Sequence, residues 1–386
     1  MLKRSIIPVI RERAKKVPVI CITGPRQSGK TTLVKQMFPE YRYVSLEDRD
    51  MRSYATEDAR GFLKEFSTPL IIDEAQYAPE LFSYIQTSVD EKRRNGAYIL
   101  TGSQNIMLLQ NISQSLAGRI SVFHLLPFSI SEMKGTKYWF NDYEQYILNG
   151  FYPRLYDQKL KPEEWLPDYV EMYIERDVRQ ITRVTDLSTF EKFIRLCAGR
   201  TGQLLNLSSI GHDLGITHNT VKNWISVLEA SFIIFLVQPF SKSFNKRMIR
   251  SPKLYFYDVG IACYLLGIKN SEQLNSHYHK GALFENMVIA DTMKNIFNKG
   301  IRPQLYYWRD STGHEVDCVL EDGAKIKSVE IKSGRTINTD FFQGLNYFNG
   351  ISKVKPENSY LVYGGEAPQQ RSYANVLSWK DTEGLL

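Results

Sequence analysis

The segment at residues 24–31, GPRQSGKT, constrains this chain more than any other feature. It follows a short apolar run, PVICIT, and precedes a stretch compatible with a helix, TTLVKQMF. Gly24 and Gly29 allow the main chain to fold into a nest of N–H donors around an anion. Lys30 adds a positive charge, and the Thr31 hydroxyl can ligate Mg²⁺. A strand, a loop and a helix in this order predict a site for the phosphates of ATP; the alternative is a glycine turn beside a surface lysine.

The predicted nucleotide contacts come from this loop, from the start of the helix and from one later strand. They are Gly24, Pro25, Arg26, Gln27, Ser28, Gly29, Lys30, Thr31, Thr32 and Ser103. Lys30 is also predicted to be catalytic, because it places a positive charge on the β and γ oxygens of the nucleotide.

Two carboxylates end an apolar strand pattern in the segment LIIDE at residues 70–74. Asp73 is placed to hold Mg²⁺ through water, and Glu74 to polarise the water that attacks the γ-phosphate. An Asp-Glu pair after a strand is also typical of a helix N-cap with an acidic first turn. The phosphate loop upstream favours the catalytic interpretation, so ATP and Mg²⁺ are the predicted cofactors.

Strand and helix patterns alternate between residues 17 and 127. Strands are predicted in PVICITG, YRYVSLED, PLIIDEAQ, AYILTGSQ and ISVFHLLPF, with helices at residues 58–66, 80–94 and 105–116 between them. Such alternation predicts an α/β fold in which helices cover both faces of a parallel sheet. We place this core domain at residues 1–127.

Four segments, GPRQSGKTTL, LIIDEAQ, ILTGSQ and SLAGR, resemble a prokaryotic family of AAA+ ATPases. Its members carry a C-terminal domain of unknown function, and the resemblance covers nearly the whole chain. It implies a P-loop AAA+ core followed by a helical lid at residues 128–200 and a winged helix at residues 201–258. The remaining residues, 259–386, would form an α/β restriction-endonuclease-like domain. The resemblance implies little about the biological task.

Two further features fit roles known in AAA+ proteins. Residues 101–104, TGSQ, end a strand, where Ser103 could contact the γ-phosphate or orient water as a sensor residue does; a simple turn is the alternative. Arg119 follows a helical pattern and precedes the last core strand, where AAA+ proteins carry an arginine finger that acts on a neighbouring subunit's ATP. A helix C-terminal arginine favoured by the helix dipole is the alternative.

The segment LSSIGHDLGITHNTVKNWISVLEAS is typical of a helix-turn-helix. Gly215 would form the turn and Thr217 would cap the second helix. Its exposed face would present Lys222 and Asn223 to DNA. A basic wing at residues 242–253 would add phosphate contacts. A winged helix that serves only as a packing module fits the same pattern.

Acidic residues in the tail of the chain form a second candidate site. Glu285 lies in a helical pattern, Asp317 in EVDCVLE, and Glu330 with Lys332 in the next strand. This set resembles the PD-(D/E)xK nucleases. Strand alternation puts Glu330 and Lys332 on one face. Asp317 and Glu330 would bind a divalent metal and Lys332 would support the attacking water, with Glu285 completing the site. A solvated strand face is the alternative.

Composition adds weaker constraints. A net charge of +7 fits a nucleic-acid partner, but it also fits a slight lysine excess. The four cysteines have no zinc-like spacing, which predicts a reducing, cytoplasmic environment. The N-terminus lacks the apolar core of a signal peptide, and no apolar run approaches the roughly 18 residues of a membrane helix.

Two classes of function remain. The first is an ATP-hydrolysing enzyme that binds or processes DNA, assembled as a homo-oligomer through Arg119. The second is a non-catalytic ATP-gated switch or scaffold with an inactive nuclease-like domain. Glu74 and the complete acidic set in the tail favour the first.

Overall fold

A computed structural model of the protein describes residues 2–103, 115–174, 186–240, 251–323 and 325–386. The first part contains a five-stranded sheet with the spatial order β2-β3-β4-β1-β5. Its strands are β1 (Val19–Thr23), β2 (Arg42–Ser45), β3 (Leu70–Asp73), β4 (Tyr98–Gly102) and β5 (Ile120–His124). All neighbouring pairs are parallel, so the carboxyl ends of the strands lie along one edge.

Alternate residues of the central strands enter apolar clusters on opposite faces of this sheet. In β1, Val19 and Cys21 join one cluster, and Ile20 and Ile22 join the other. Buried parallel strands need such two-sided apolar sequences, because helices cover both faces. The helices are α1 (Ile7–Ala14), α2 (Lys30–Met37), α3 (Arg49–Glu57), α4 (Ala59–Glu65) and α5 (Leu81–Lys92). This confirms the predicted parallel α/β core; most of the helix predicted at residues 105–116 lies outside the described residues.

Short helices follow the core. They are α6 (Ile130–Met133), α7 (Tyr143–Asn149), α8 (Pro153–Asp157), α9 (Pro162–Tyr169), α10 (Leu187–Ala198), α11 (Leu207–Leu214), α12 (His218–Ala230), α13 (Val259–Leu265) and α14 (Ser271–Ser276). A π-helical turn, Val170–Ile174, extends α9. Gly215 ends α11 with a left-handed φ of 67°, and the Thr217 hydroxyl caps α12 by accepting from the Thr220 N–H. Lys222 and Asn223 are exposed on α12.

A second sheet has eight strands in the order β12-β13-β11-β10-β9-β8-β6-β7. They are β6 (Ile234–Pro239), β7 (Lys253–Phe256), β8 (Leu305–Arg309), β9 (Glu315–Asp322), β10 (Lys325–Lys332), β11 (Ser359–Tyr363), β12 (Gln369–Gln370) and β13 (Asn375–Ser378). Helices α15 (Lys280–Asn298) and α16 (Gln343–Ser352) accompany it. Gln238 and Pro239 of β6 pair in parallel with Tyr306 and Tyr307 of β8. The strands after the helix-turn-helix therefore belong to the sheet of the tail.

The predicted basic wing is wrong at Lys253. This residue is 2% exposed, in β7, and its ammonium group contacts the carboxylates of Glu285 and Glu315. A buried lysine paired with acids cannot reach a DNA phosphate. Residues 242–250 of the predicted wing lie outside the described residues.

No helix in the described ranges is both long enough and apolar enough to cross a membrane.

Candidate nucleotide site and a second charged cluster

The phosphate loop joins the carboxyl end of β1 to α2. Gly24 has a φ of 154°, and a Cβ at this position would lie 2.1 Å from the carbonyl oxygen of Leu125. Gly29 precedes the first residue of α2 with a φ of 93°, a left-handed conformation that suits glycine. The two glycines therefore permit both the close approach to Leu125 and the turn that points the N-terminus of α2 into the loop.

Lys30 is buried within the loop, 6% exposed. Its ammonium group donates to the carbonyl oxygens of Gly24, at 3.0 Å, and Pro25, at 2.9 Å. These contacts hold the lysine charge over the main chain that would surround a phosphate. A positive charge and oriented N–H groups together favour anion binding.

Asp73 is the hub of the polar groups at this edge of the sheet. Its Oδ2 accepts from the hydroxyls of Thr31 and Tyr43, each at 2.7 Å, and its Oδ1 accepts from Thr101. Asp73 ends β3, Thr31 lies in the first turn of α2 and Thr101 lies in β4. Parallel strands bring these distant segments to one edge because their carboxyl ends coincide.

Glu74 lies directly after this hub, in a left-handed conformation with a φ of 53°. Its Oε2 accepts from Ser103, at 3.0 Å, and from the side-chain amide of Gln76. Ser103 and Gln76 therefore orient the Glu74 carboxylate. Thr101 and Ser103, predicted as possible γ-phosphate contacts, bond the two carboxylates here; Gln104 lies outside the described residues.

A cavity of about 890 Å³ opens beside the loop. Its lining combines loop residues with residues from farther along the chain: Gln27, Lys30, Thr31, Glu74, Tyr138 and Arg154. Helix α9 also contacts the loop, because the Trp165 indole donates to the Gln27 side chain at 3.1 Å. The volume lies within the range of roughly 300–1,000 Å³ typical of small-molecule sites.

A second charged cluster lies between α15, β7, β9 and β10. The Lys253 ammonium contacts Glu285, at 3.2 Å, and Glu315. Lys332 lies 2.5 Å from Glu330 and 4.0 Å from Asp317. The structure thus brings together the residues Glu285, Asp317, Glu330 and Lys332, which the sequence predicted as one set, and adds Lys253 and Glu315.

Burial and neighbouring charge shape the protonation of this cluster. Burial, and then the nearby Asp317 carboxylate, raise the pKa of Glu330 to about 8. Burial acts to lower the pKa of Lys253, but Glu285 and the other acidic neighbours raise it above its ordinary value. Lys253 therefore stays charged, whereas burial and the neighbouring Asp317 disfavour the charged form of Glu330.

Three parts of the chain match known protein families. Residues 16–134 match the family described as AAA domain. Residues 140–272 and 280–381 match two domains of unknown function, DUF8612 and DUF4143. The first match contains the phosphate loop, Asp73 and Glu74.

The chain therefore contains a segment, residues 16–134, that is similar to AAA domains and carries a P-loop motif.

Relatives of the whole chain carry no assigned function. An uncharacterized protein of Mycobacterium tuberculosis is 26% identical over 369 residues, which are 94% of this chain and 80% of the relative. An uncharacterized protein of Methanocaldococcus jannaschii is 25% identical over 314 residues, covering 68% of this chain and 64% of the relative. A Walker-type ATPase of Pyrococcus abyssi aligns with 67% of this chain and 94% of its own, at 15% identity and a TM-score of 0.45.

Arg119 of the AAA domain does not lie at the phosphate loop of its own chain. It precedes β5, and β1 and β5 run parallel with Val19 beside Ile120 and Thr23 beside His124. Arg119 is therefore at the opposite edge of the sheet from the loop. Its guanidinium forms two hydrogen bonds with Asp90 of α5, at 2.5 and 2.8 Å.

The two predicted metal sites differ in their fit. In the AAA domain, the Thr31 hydroxyl and the Asp73 carboxylate lie together and are the hard oxygen donors that Mg²⁺ prefers. In the second cluster, Lys253 pairs with Glu285 and Glu315, and Lys332 pairs with Glu330. Within the described part of the chain, no group of three or more His, Cys, Asp and Glu residues could hold a metal ion. The second metal site at Asp317 and Glu330 rests on two carboxylates and stays a prediction.

Sequence reasoning missed three residues of these sites. Tyr43 bonds Asp73 from β2, although its segment indicated only a strand. Lys253 lay in a basic stretch whose pattern resembles a solvated surface. Arg4 donates to the carbonyl oxygen of Ser28 in the phosphate loop, at 3.1 Å, and nothing in the N-terminal segment indicated this contact.

Proposed function

We propose that this protein is a Mg²⁺-dependent ATPase. The observation that carries the proposal is the arrangement of Thr31, Asp73 and Glu74 beside a cavity lined by the phosphate loop. A loop that binds phosphate needs only its N–H groups and a lysine. The oriented carboxylate of Glu74 is an additional feature that hydrolysis requires and simple binding does not.

Each group has a distinct part in the reaction. The loop N–H groups and Lys30 would bind the ATP phosphates and stabilise charge that develops on them. Thr31 and Asp73 would hold Mg²⁺, which neutralises phosphate charge when bound. Glu74, oriented by Ser103 and Gln76, would accept a proton from the attacking water.

The wider cavity supports a purine nucleotide as the ligand. Apolar and aromatic residues also line it: Leu2, Phe128, Tyr138 and Tyr156. Aromatic and apolar surfaces bind a flat base by stacking and burial. Tyr138 and Tyr156 follow the five-stranded core, so the base would contact residues outside the β-sheet domain.

The substitution Lys30→Ala tests the proposal. We expect ATP binding, measured by calorimetry with Mg²⁺ present, to fall at least tenfold, because the loop loses a buried charge beside the phosphates. Turnover should fall with it. Lys64→Ala, which removes an exposed lysine from α4, is the matched control. Equal ATP affinity in the two variants would show that the loop is not the nucleotide site.

We also propose that Arg119 acts on a neighbouring subunit, because it cannot reach its own loop. An arginine finger of this kind contributes about 10³- to 10⁵-fold to turnover. Arg119→Ala and Lys30→Ala should each be nearly inactive, but mixing them should restore activity at the interfaces that pair an intact loop with an intact arginine. An active enzyme that remains monomeric in sedimentation at the assay concentration would disprove this arrangement.

DNA binding by the helix-turn-helix is a second proposal, supported by the exposed Lys222 and Asn223 on α12. Because Lys253 of the predicted wing is buried and cannot contact DNA, α12 is the main candidate for the DNA-binding surface. Lys222→Glu should weaken duplex binding and reduce its salt dependence, since each phosphate contact releases a counterion. Lys269→Glu changes an exposed lysine elsewhere and is the control. If both variants bind DNA like the unaltered protein, α12 is a packing element.

For the tail, we propose a nuclease-like domain that does not cleave. Lys253 supplies a fixed ammonium between Glu285 and Glu315, and Lys332 bonds Glu330. Lysines that pair with these carboxylates reduce the negative charge that a metal cation would otherwise offset. This supports an ATPase whose tail binds or scaffolds, in place of an ATPase coupled to phosphodiester cleavage.

A further inference from the structure

A buried ionic path leaves the phosphate loop at Arg4. This arginine is 4% exposed, and all three guanidinium nitrogens donate. One bonds the carbonyl oxygen of Ser28 at 3.1 Å, another that of Leu126 at 2.6 Å, and Nε bonds the carboxylate of Glu132 at 3.1 Å. The guanidinium also lies over the Phe128 ring, 4.8 Å from its centroid. Arg4 therefore fixes the loop main chain against the segment that follows β5.

Glu132 carries the path into α6. Its carboxylate accepts from the main-chain N–H of Ser5, at 2.7 Å, and of Ser129, at 3.0 Å, in addition to Arg4. The Ser129 hydroxyl caps the helix in return by accepting from the Glu132 N–H. Because the Glu132 side chain is fully buried, a displacement of Arg4 would leave a carboxylate without its countercharge, which is costly in the interior.

Helix α6 is bonded in turn to α15. The Ile130 N–H donates to Asp291 Oδ1 at 2.6 Å, and the Ser131 hydroxyl donates to Asn295 at 3.0 Å. The other oxygen of Asp291 accepts from Asn295 and from the Thr382 hydroxyl. Asp291 is completely buried. The chain of contacts from Ser28 to Asp291 is thus continuous.

The same helix carries a residue of the second cluster. Glu285 and Asp291 are six residues apart on α15, which corresponds to about 9 Å along the helix axis. An unbroken α-helix moves over such a distance as a rigid unit. A shift at Asp291 would therefore reach Glu285 and its partners Lys253 and Tyr255.

We propose that Arg4 is a positioning residue of the ATP site, and that the path through Arg4, Glu132 and Asp291 makes α15 respond to bound ATP. The inference rests on the proposed ATP site. In this proposal, a nucleotide bound at the phosphate loop regulates the cluster around Glu285. Thermodynamic linkage is reciprocal. If bound ATP shifts the conformational equilibrium of α15, a substitution that shifts the same equilibrium must in turn change the affinity for ATP.

Thr382→Val tests the far end of the path. The substitution removes one hydroxyl from Asp291 and touches no residue of the cavity. We expect the Kd for ATP to rise about two- to thirtyfold, the range for residues that modulate coupling between sites. Thr87→Val is the matched control, because the exposed Thr87 hydroxyl bonds only within α5, to Ser83. Equal Kd values for the two variants would overturn the proposal.

Hydrogen exchange provides a second readout. A non-hydrolysable ATP analogue should slow exchange in peptides from residues 280–298 of the unaltered protein, and the effect should shrink in Thr382→Val. Arg4→Lys keeps the positive charge but loses the three guanidinium nitrogens that donate hydrogen bonds. This substitution should raise KM more than it lowers kcat. Analogue binding with no change at residues 280–298 would refute the coupling alone. Failure of the unaltered protein to bind the analogue would instead contradict the proposed ATPase function.

Discussion

Glu74→Gln is expected to slow ATP hydrolysis by about 10²- to 10⁴-fold while leaving ATP binding nearly unchanged. Glutamine keeps the shape of the side chain but cannot accept the proton of the attacking water. The left-handed conformation at residue 74 and the contacts from Ser103 and Gln76 place this carboxylate independently of the Asp73 hub. Catalysis should therefore be lost without disturbing Thr31 or Lys30.

The measurement combines a steady-state phosphate-release assay with calorimetric ATP binding. Glu80→Gln, an exposed glutamate six residues away, is the control and should behave like the unaltered enzyme. Turnover in Glu74→Gln close to that of the control would show that another group activates the water. Loss of ATP binding would instead indicate that Glu74 supports the structure of the loop.

Lys253→Met is expected to lower the free energy of unfolding by about 3–5 kcal/mol, the range for removing one partner of a buried ion pair. Methionine fills similar volume, but Glu285 and Glu315 would then be left without the ammonium that separates them. A divalent cation could relieve the resulting repulsion. We therefore expect Mn²⁺ to raise the melting temperature of Lys253→Met more than that of the unaltered protein.

Thermal unfolding in the absence of nucleotide, with and without Mn²⁺, measures both effects. Lys269→Met removes an exposed lysine and should match the unaltered protein. An equal Mn²⁺ effect on Lys253→Met and on the unaltered protein would contradict this prediction, because removal of Lys253 would then create no new site for a metal in the cluster. Stability of Lys253→Met equal to that of the control would show that Lys253 contributes no countercharge.

The AAA domain could be predicted from local sequence. Its strands are apolar runs of strand length. The glycines and the lysine of the loop motif are typical of a loop between a strand and a helix, so the motif also predicts the elements that flank it. The convergence of Glu285, Asp317, Glu330 and Lys332 was implied by the resemblance to the PD-(D/E)xK nucleases, and strand alternation placed Glu330 and Lys332 on one face. In each of these cases the informative residues lie within or next to a recognisable element.

The residues that could not be predicted are those whose partners are distant in the chain. Arg4 and Glu132 are 128 positions apart, so neither segment indicates the other. Lys253 looked like a wing residue because composition does not distinguish a solvated lysine from one buried against acids. The pairing of β6 with β8 is likewise long-range, and a resemblance that divides the tail near residue 258 does not reveal a shared sheet.

That shared sheet bears on how such genes can recombine. A break between residues 272 and 280 would separate β6 from β8, exposing the main chain of Tyr306 and Tyr307 as an open edge that invites aggregation. It would also separate Lys253 from Glu285. We therefore expect the segments that match DUF8612 and DUF4143 to be inherited together. The AAA domain has its own sheet and apolar clusters, but an exchanged domain would have to keep the hydrogen bond from Ile130 to Asp291 of α15.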